Sequence, residues 1–269
     1  MVLTRCLSAV VLAVPVLAAV HFGSPFFEIL VVIAGTAVAA EWCRMCSVRD
    51  RLAWTAGLGG TIAAAVVAEA WAGWPAAIAV IVAATLAIHV LVMQGDRRGQ
   101  RDRRGWISAG VTYIGLPSLA IVWLRGDEVG GRDIVLWLLL VVWASDIGAY
   151  AAGRTIGGPR LAPRLSPNKT WAGLAGALAA AAAAGAGTAV ALGATDVWQV
   201  MLISAALGGV AQGGDLLESG IKRRFGVKDT GAWIPGHGGL LDRVDGLMAA
   251  SVALALIVAT GNGSVRPWI

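Results

Sequence analysis

The sequence predicts an all-α, polytopic integral membrane protein of about nine transmembrane helices with a cytoplasmic N-terminus. Three observations predict it. Of 269 residues, 58% are hydrophobic and only 14% charged, with mean hydropathy +0.75, whereas a soluble domain carries roughly 25% charged residues. Apolar runs of about 17 to 25 residues recur along the chain, the length that crosses a hydrocarbon core. Lys and Arg gather in alternate inter-span segments, the asymmetry that orients membrane proteins.

The first span, about 6–22, follows Arg5 and contains Pro15. A polytopic chain follows, so it reads as an uncleaved helix rather than a signal peptide. Spans at about 25–42, 52–70, 74–93 and 106–125 complete an N-terminal region, 1–130. Spans at about 132–153, 170–192, 197–217 and 240–260, with two polar cytoplasmic loops, make a catalytic region, 131–269. Alternating sides, one face receives Arg5, then Arg44, Arg49 and Arg51, then Arg97, Arg98, Arg101, Arg103 and Arg104. It also receives Arg154, Arg160, Arg164 and Lys169, then Lys222, Arg223, Arg224, Lys228 and Arg243. The other face keeps Arg125, Arg132 and Arg266. The rich face is the cytoplasmic one. Trp42, Trp74, Trp106, Trp123, Trp171 and Trp198 fall near span ends, as interface anchors do.

No long hydrophilic segment is left for a separate soluble domain, and no fixed-period repeat is visible. The net charge of +5 reflects loops facing an anionic leaflet rather than nucleic acid. Cys43 and Cys46 form one C-x-x-C without a second pair or a nearby His, so they read as structural.

Ionisable groups inside spans are costly and point to function. Asp146 lies late in the sixth span, Asp215 and Glu218 close the eighth, and Asp242 and Asp245 open the ninth. Glu28, Glu41 and Glu69 lie near span ends, where snorkelling or a local hydrogen bond accounts for them. Asp215, Ser219 and Lys222 share one helical face, as do Asp242 and Asp245. A helix N-terminus favours the latter pair. Two such acidic faces suit one hard cation with oxygen ligands, such as Mg²⁺. The turn Gly236, His237, Gly238 and Gly239, among several Lys and Arg residues, suits polyphosphate. No G-x-x-x-x-G-K-[ST] is present there, which excludes a P-loop. A second polar island, 154–173, reads as an ordered loop entering a helix. Ser166 stands at the cap, and Lys169 and Thr170 in the first turn. Gly209 and Gly213 form a small-xxx-small pair for close helix packing.

The stretch S-G-I-K-R-R-F-G-V-K-D-T-G-A-W-I-P-G-H-G-G-L-L-D-R-V-D, residues 219–245, resembles the signature of bacterial phosphatidate cytidylyltransferases. GGD at 213–215 and DIGAYAAGRTIGGPRLAPRLSPNKTWAG at 146–173 fit the same pattern. The resemblance covers about 146–260. It departs at Ala172, where the family usually has an acid, and at Asn168, where Lys is frequent.

The resemblance implies cytidylyl transfer from CTP to phosphatidate, giving CDP-diacylglycerol and pyrophosphate. It implies a catalytic set of Asp215, Asp242, Lys222 and His237. Asp215, Asp242 and Asp245 would hold Mg²⁺ or Mn²⁺, with room for a second cation. Arg223, Lys228, Ser166, Lys169, Thr170, Ser219, Gly238, Gly239 and Asp146 would bind substrate. It further implies a bacterial inner-membrane homodimer with a cytoplasm-facing pocket open to membrane lipids. Two other readings are a CTP-dependent polyprenol-type kinase and an ion-coupled transporter. The length of the 219–245 match opposes the first, and the position of the acids at span ends opposes the second.

Overall fold

The computed structural model describes residues 2–48, 50–94, 101–127, 130–231 and 238–261. The element order is α1 (Val2–Phe22), α2 (Phe26–Met45), α3 (Arg51–Gln94), α4 (Arg101–Arg125), α5 (Gly131–Thr155), β1 (Arg160–Ala162), β2 (Ser166–Thr170), α6 (Trp171–Leu192), α7 (Val197–Arg224) and α8 (Leu241–Thr260). Among the described residues, seven helices are long and apolar enough to cross a membrane, namely α2 to α8. His237, Arg49, Arg97, Arg98 and Arg266 lie outside the described residues.

The third and fourth predicted spans lie on the 44 residues of α3. At 1.5 Å per residue such a helix is about twice as long as a hydrocarbon core is thick. Its backbone breaks at Gly73, with φ 77° and ψ 175°. Only glycine takes that conformation without strain, and Pro75 then stands in the first turn of the second arm, where its missing N–H costs nothing.

The all-α expectation is corrected at one place. Residues 160–162 and 166–170 form an antiparallel two-stranded sheet, with Arg160 opposite Thr170 and Ala162 opposite Ser166. Gly157 and Gly158, at φ +67° and +91°, turn the chain out of α5. Pro159, Pro163 and Pro167 deny the segment a helical hydrogen-bond ladder. Pro167 also holds Ser166 in an extended conformation, so Ser166 caps nothing and Lys169 is a strand residue. Thr170 is the cap of α6, its hydroxyl accepting from Gly173 N at 3.0 Å.

The chain divides into two compact units, Met1–Trp123 with Phe225–Arg243, and Leu124–Arg224 with Val244–Ile269. In the first unit, Trp42 is a core residue and not an interface anchor. It is 1% exposed, donates from Nε1 to Trp106 O at 2.8 Å and stacks on Tyr113 with ring centroids 5.0 Å apart. Gly110 makes the space, since a Cβ there would strike the Trp42 ring. Trp71, Trp74, Trp171 and Trp198 are by contrast exposed.

In the second unit, backbone meets backbone. A Cβ on Gly176 would lie 2.6 Å from Gly148 O, so α5 and α6 touch along glycine. A Cβ on Gly208 would lie 2.6 Å from the Ala181 Cβ, and one on Gly214 would lie 2.7 Å from the Ala249 Cβ. The expected pair Gly209 and Gly213 is therefore not the contact. Gly213 has nothing within 4 Å, and Gly209 meets only the tip of Leu178. The close approaches fall on neighbouring helical positions instead, Gly208 toward α6 and Gly214 toward α8.

Replacing Gly176 with Val is expected to force α5 and α6 apart, an overpacking cost of roughly 1–3 kcal/mol. The thermal unfolding midpoint in detergent should fall by several degrees. Gly187→Ala, at a helical position with open space, should not lower it and should raise it slightly.

Candidate functional site

The second unit assembles a charged cluster from α5, β2, α7 and α8. On α7, Gln212, Asp215, Glu218, Ser219 and Lys222 are spaced by three or four residues or adjoin, so they line one helical face. Asp245 follows one turn into α8. The helices meet closely enough to bring these acids together. A Cβ on Gly214 would sit 2.8 Å from Asp245 O, and one on Gly246 would sit 3.2 Å from Ala211 O. As a result, one carboxylate oxygen each from Asp215, Glu218 and Asp245 lie within 4.8 Å of one another.

Like charges 4 Å apart repel by about 4 kcal/mol in the screened environment near a protein surface. Two ammonium groups oppose that repulsion. Lys169 Nζ lies 2.8 Å from Asp215 Oδ2, and Lys222 Nζ lies 2.6 Å from Glu218 Oε2. Ser219 Oγ donates to Asp215 Oδ1 at 3.3 Å. Lys169 reaches the cluster because the hairpin ends there, with the Thr170 cap fixing the next residue in α6. Arg223 Nε donates to Leu165 O at 3.4 Å, tying the hairpin to α7.

Gln212 links the remaining parts. Its Oε1 accepts from Lys169 Nζ at 3.0 Å, and its backbone O at 3.2 Å. Its Nε2 donates to Asp146 Oδ1 at 3.1 Å and to Ser145 Oγ at 3.3 Å. Sequence reasoning missed this role, because an uncharged Gln in an apolar run carries no motif. Glu218 was recognised as an intramembrane acid but not as a site member. Its position three residues after Asp215 was the available signal.

In the first unit, the segment 225–231 and residues 238–242 carry the other predicted residues. Lys228 is exposed, Gly238 has φ +84° and Gly239 is buried. The Asp242 carboxylate reaches back from the first turn of α8, accepting from Gly239 N at 2.9 Å and Thr230 N at 3.2 Å. Glu41, expected to snorkel or bond locally, does neither. It is 1% exposed and accepts from Thr230 Oγ1, Leu240 N and Leu241 N, about 190 to 200 residues away in sequence.

An all-oxygen set of three carboxylates is the donor chemistry of a hard divalent cation such as Mg²⁺ or Mn²⁺. The structure thus brings together Asp215, Asp245, Lys169, Lys222 and Ser219, with Asp146 joined through Gln212. Ser166 is paired in the sheet, and the Thr170 hydroxyl is engaged as a cap. Asp242, Lys228, Gly238 and Gly239 belong to the first unit.

Residues 3–260 match the cytidylyltransferase family. A phosphatidate cytidylyltransferase of Brucella suis biovar 1 (strain 1330) is 48% identical over 159 residues, 59% of this chain and 59% of that protein. One from Staphylococcus haemolyticus (strain JCSC1435) is 42% identical over 142 residues, 51% of this chain and 52% of its own length. One from Mycobacterium leprae (strain TN) is 43% identical over 122 residues, 45% and 39% of the two chains. The chain thus spans about three fifths or less of the length of these curated relatives.

Thr170→Val removes the α6 cap and should cost about 1 kcal/mol of stability. Thermal unfolding should show a lowered midpoint, with Thr170→Ser close to the parent.

Proposed function

The chain belongs to the cytidylyltransferase family, and we propose that it transfers the cytidylyl group of CTP to phosphatidate. The products are CDP-diacylglycerol and pyrophosphate. The observation that carries this reading is the cluster of Asp215, Glu218 and Asp245, with carboxylate oxygens within 4.8 Å and ammonium groups of Lys169 and Lys222 against it. The relatives are phosphatidate cytidylyltransferases, and they supply the substrate class of this reading.

In this reading a phosphatidate phosphate oxygen bonds to the α-phosphorus of CTP as the bond to the β-phosphate oxygen breaks. The attacking phosphate is already ionised, so no general base is required. Both reactants are anions, and neutralising and aligning them is the main task. Asp215, Glu218 and Asp245 would hold Mg²⁺ or Mn²⁺, which when bound supplies charge neutralisation at triphosphate oxygens. The resemblance alone implies Asp242 as a metal residue and room for a second cation. Lys222, Lys169 and Arg223 contribute fixed positive charge for phosphates, and Ser219 orients Asp215. The resemblance alone implies substrate binding by Lys228, Gly238 and Gly239 and a catalytic role for His237, while Asp146 holds Gln212 and through it Lys169.

The proposal includes nine spans, with the two arms of α3 counted separately. It places the N-terminus and the chemistry on the cytoplasmic side of a bacterial inner membrane, in a homodimer bathed by membrane lipids.

CTP carrying label at the α-phosphorus should transfer it to a chloroform-soluble product when phosphatidate is supplied. Label at the γ-phosphorus should leave as pyrophosphate. Entry of γ-label into lipid would instead mark a kinase and sink the proposal.

Asp215→Asn and Asp245→Asn should each lower kcat by on the order of 100-fold, since cation contacts supply several kcal/mol of transition-state stabilisation. The Mg²⁺ concentration for half-maximal rate should rise in parallel. Unchanged Mg²⁺ titrations in both variants would remove these residues from the cation site.

A further inference from the structure

We propose that Glu41 and Arg44, on α2, are positioning residues that hold residues 228–231 and 238–242 in their working conformation. The proposal rests on the cytidylyl-transfer reading for the meaning of "working", but its structural basis stands apart from it.

Every polar atom of Thr230 is held. Its N–H donates to Asp242 Oδ2 at 3.2 Å, its carbonyl accepts from Arg44 Nη2 at 2.6 Å, and its hydroxyl donates to Glu41 Oε2 at 3.1 Å. The same Glu41 carboxylate accepts from Leu240 N at 2.9 Å and Leu241 N at 2.8 Å. These are N–H groups at the start of α8, which lack an intrahelical acceptor and sit at the positive end of the helix dipole. One carboxylate therefore ties residue 230 to residues 240 and 241.

The fit leaves no slack. A Cβ on Gly239 would lie 2.7 Å from Glu41 Oε2 and 2.7 Å from Gly231 N, and a Cβ on Gly231 would overlap Glu41 Oε1. Glycine at both positions is what admits the carboxylate. A carboxylate 1% exposed costs several kcal/mol to desolvate unless hydrogen bonds replace its water. Here an apolar residue of similar size would fill α2 without that cost. What the carboxylate adds is a fixed conformation for residues 228–231 and 238–242, which bear Lys228, Gly238, Gly239 and Asp242.

Glu41→Gln keeps the size but presents an amide where three donors converge, and Thr230→Val keeps the shape but removes the hydroxyl. Both should raise KM for CTP by about 10-fold or more, the range in which lost supporting hydrogen bonds act on a site. Thr230→Ser should restore it. Hydrogen exchange in residues 225–231 and 238–243 should quicken in Glu41→Gln and Thr230→Val but not along α7. A fall in unfolding midpoint with unchanged KM for CTP and unchanged exchange in the segment would overturn the inference, leaving Glu41 a support of the fold only. The readouts also separate the two proposals. Should the parent protein release no pyrophosphate from CTP and phosphatidate, the reaction fails. The exchange data then still decide whether Glu41 anchors the segment.

Discussion

The second unit is organised by the confinement of three carboxylates, Asp215, Glu218 and Asp245, to within 4.8 Å. Gly214 and Gly246 permit it, because only without a Cβ can α7 and α8 approach so closely. The confinement then sets requirements on everything nearby. Positive charge must be close, and it comes from opposite directions. Lys222 lies one turn along α7 from Glu218, and Lys169 arrives at Asp215 from the end of a hairpin. The hairpin must therefore stop at a defined place, which the Thr170 cap on α6 provides. Gln212 must hold the Lys169 ammonium, which in turn fixes its amide toward Asp146. Hairpin, cap and amide bridge are consequences of one electrostatic problem.

What could be read from the sequence follows the range of the interactions involved. The helices were legible because apolar length and composition are local properties, and so was the interruption between 70 and 74, since Gly73 and Pro75 act on their own residues. Asp215, Asp245 and Lys222 were legible through helical spacing and the resemblance of 213–215 and 219–245, and Lys169 through that of 146–173. The hairpin was not. Strands of three and five residues with prolines among them show no alternation to detect. The cap expected at Ser166 falls on Thr170 instead, because the strand runs on to that residue. Trp42 looked like an anchor because it stands near a span end, and only the fold supplies Tyr113 and Trp106 to bury it. Glu41 and Gln212 were out of reach for the same reason. Their partners are tens to hundreds of residues distant, and no spacing rule connects them.

The acids at the start of α8 divide their work by position. Asp242, in the first turn, turns back to N–H groups that precede the helix. Glu41 enters from α2 and takes N–H groups of the helix start itself. Glu41 thus satisfies donors that a helix N-terminus leaves open, while Asp242 holds N–H groups of the chain before it. Asp245 lies one turn further on, beyond the open donors, apart from its own neighbour Gly246 N. A carboxylate there is not spent on capping. It stands with Asp215 and Glu218 instead.

Pairing with lysine also bears on how such a cluster responds to ligand. A carboxylate that must stay ionised near lipid needs a counter-charge at all times, or it takes up a proton. Lys169 and Lys222 provide that charge when no cation is held. A divalent cation can enter only by replacing part of that interaction, so its net gain is smaller than the bare attraction of three carboxylates would give. A polyanion changes the balance, because it offers the displaced ammonium groups new oxygen partners. Cation and triphosphate should therefore favour each other's binding, by the reciprocity that any such coupling obeys. On the proposed reaction, a site built from paired charges would in this way favour the cation–nucleotide complex over either component alone.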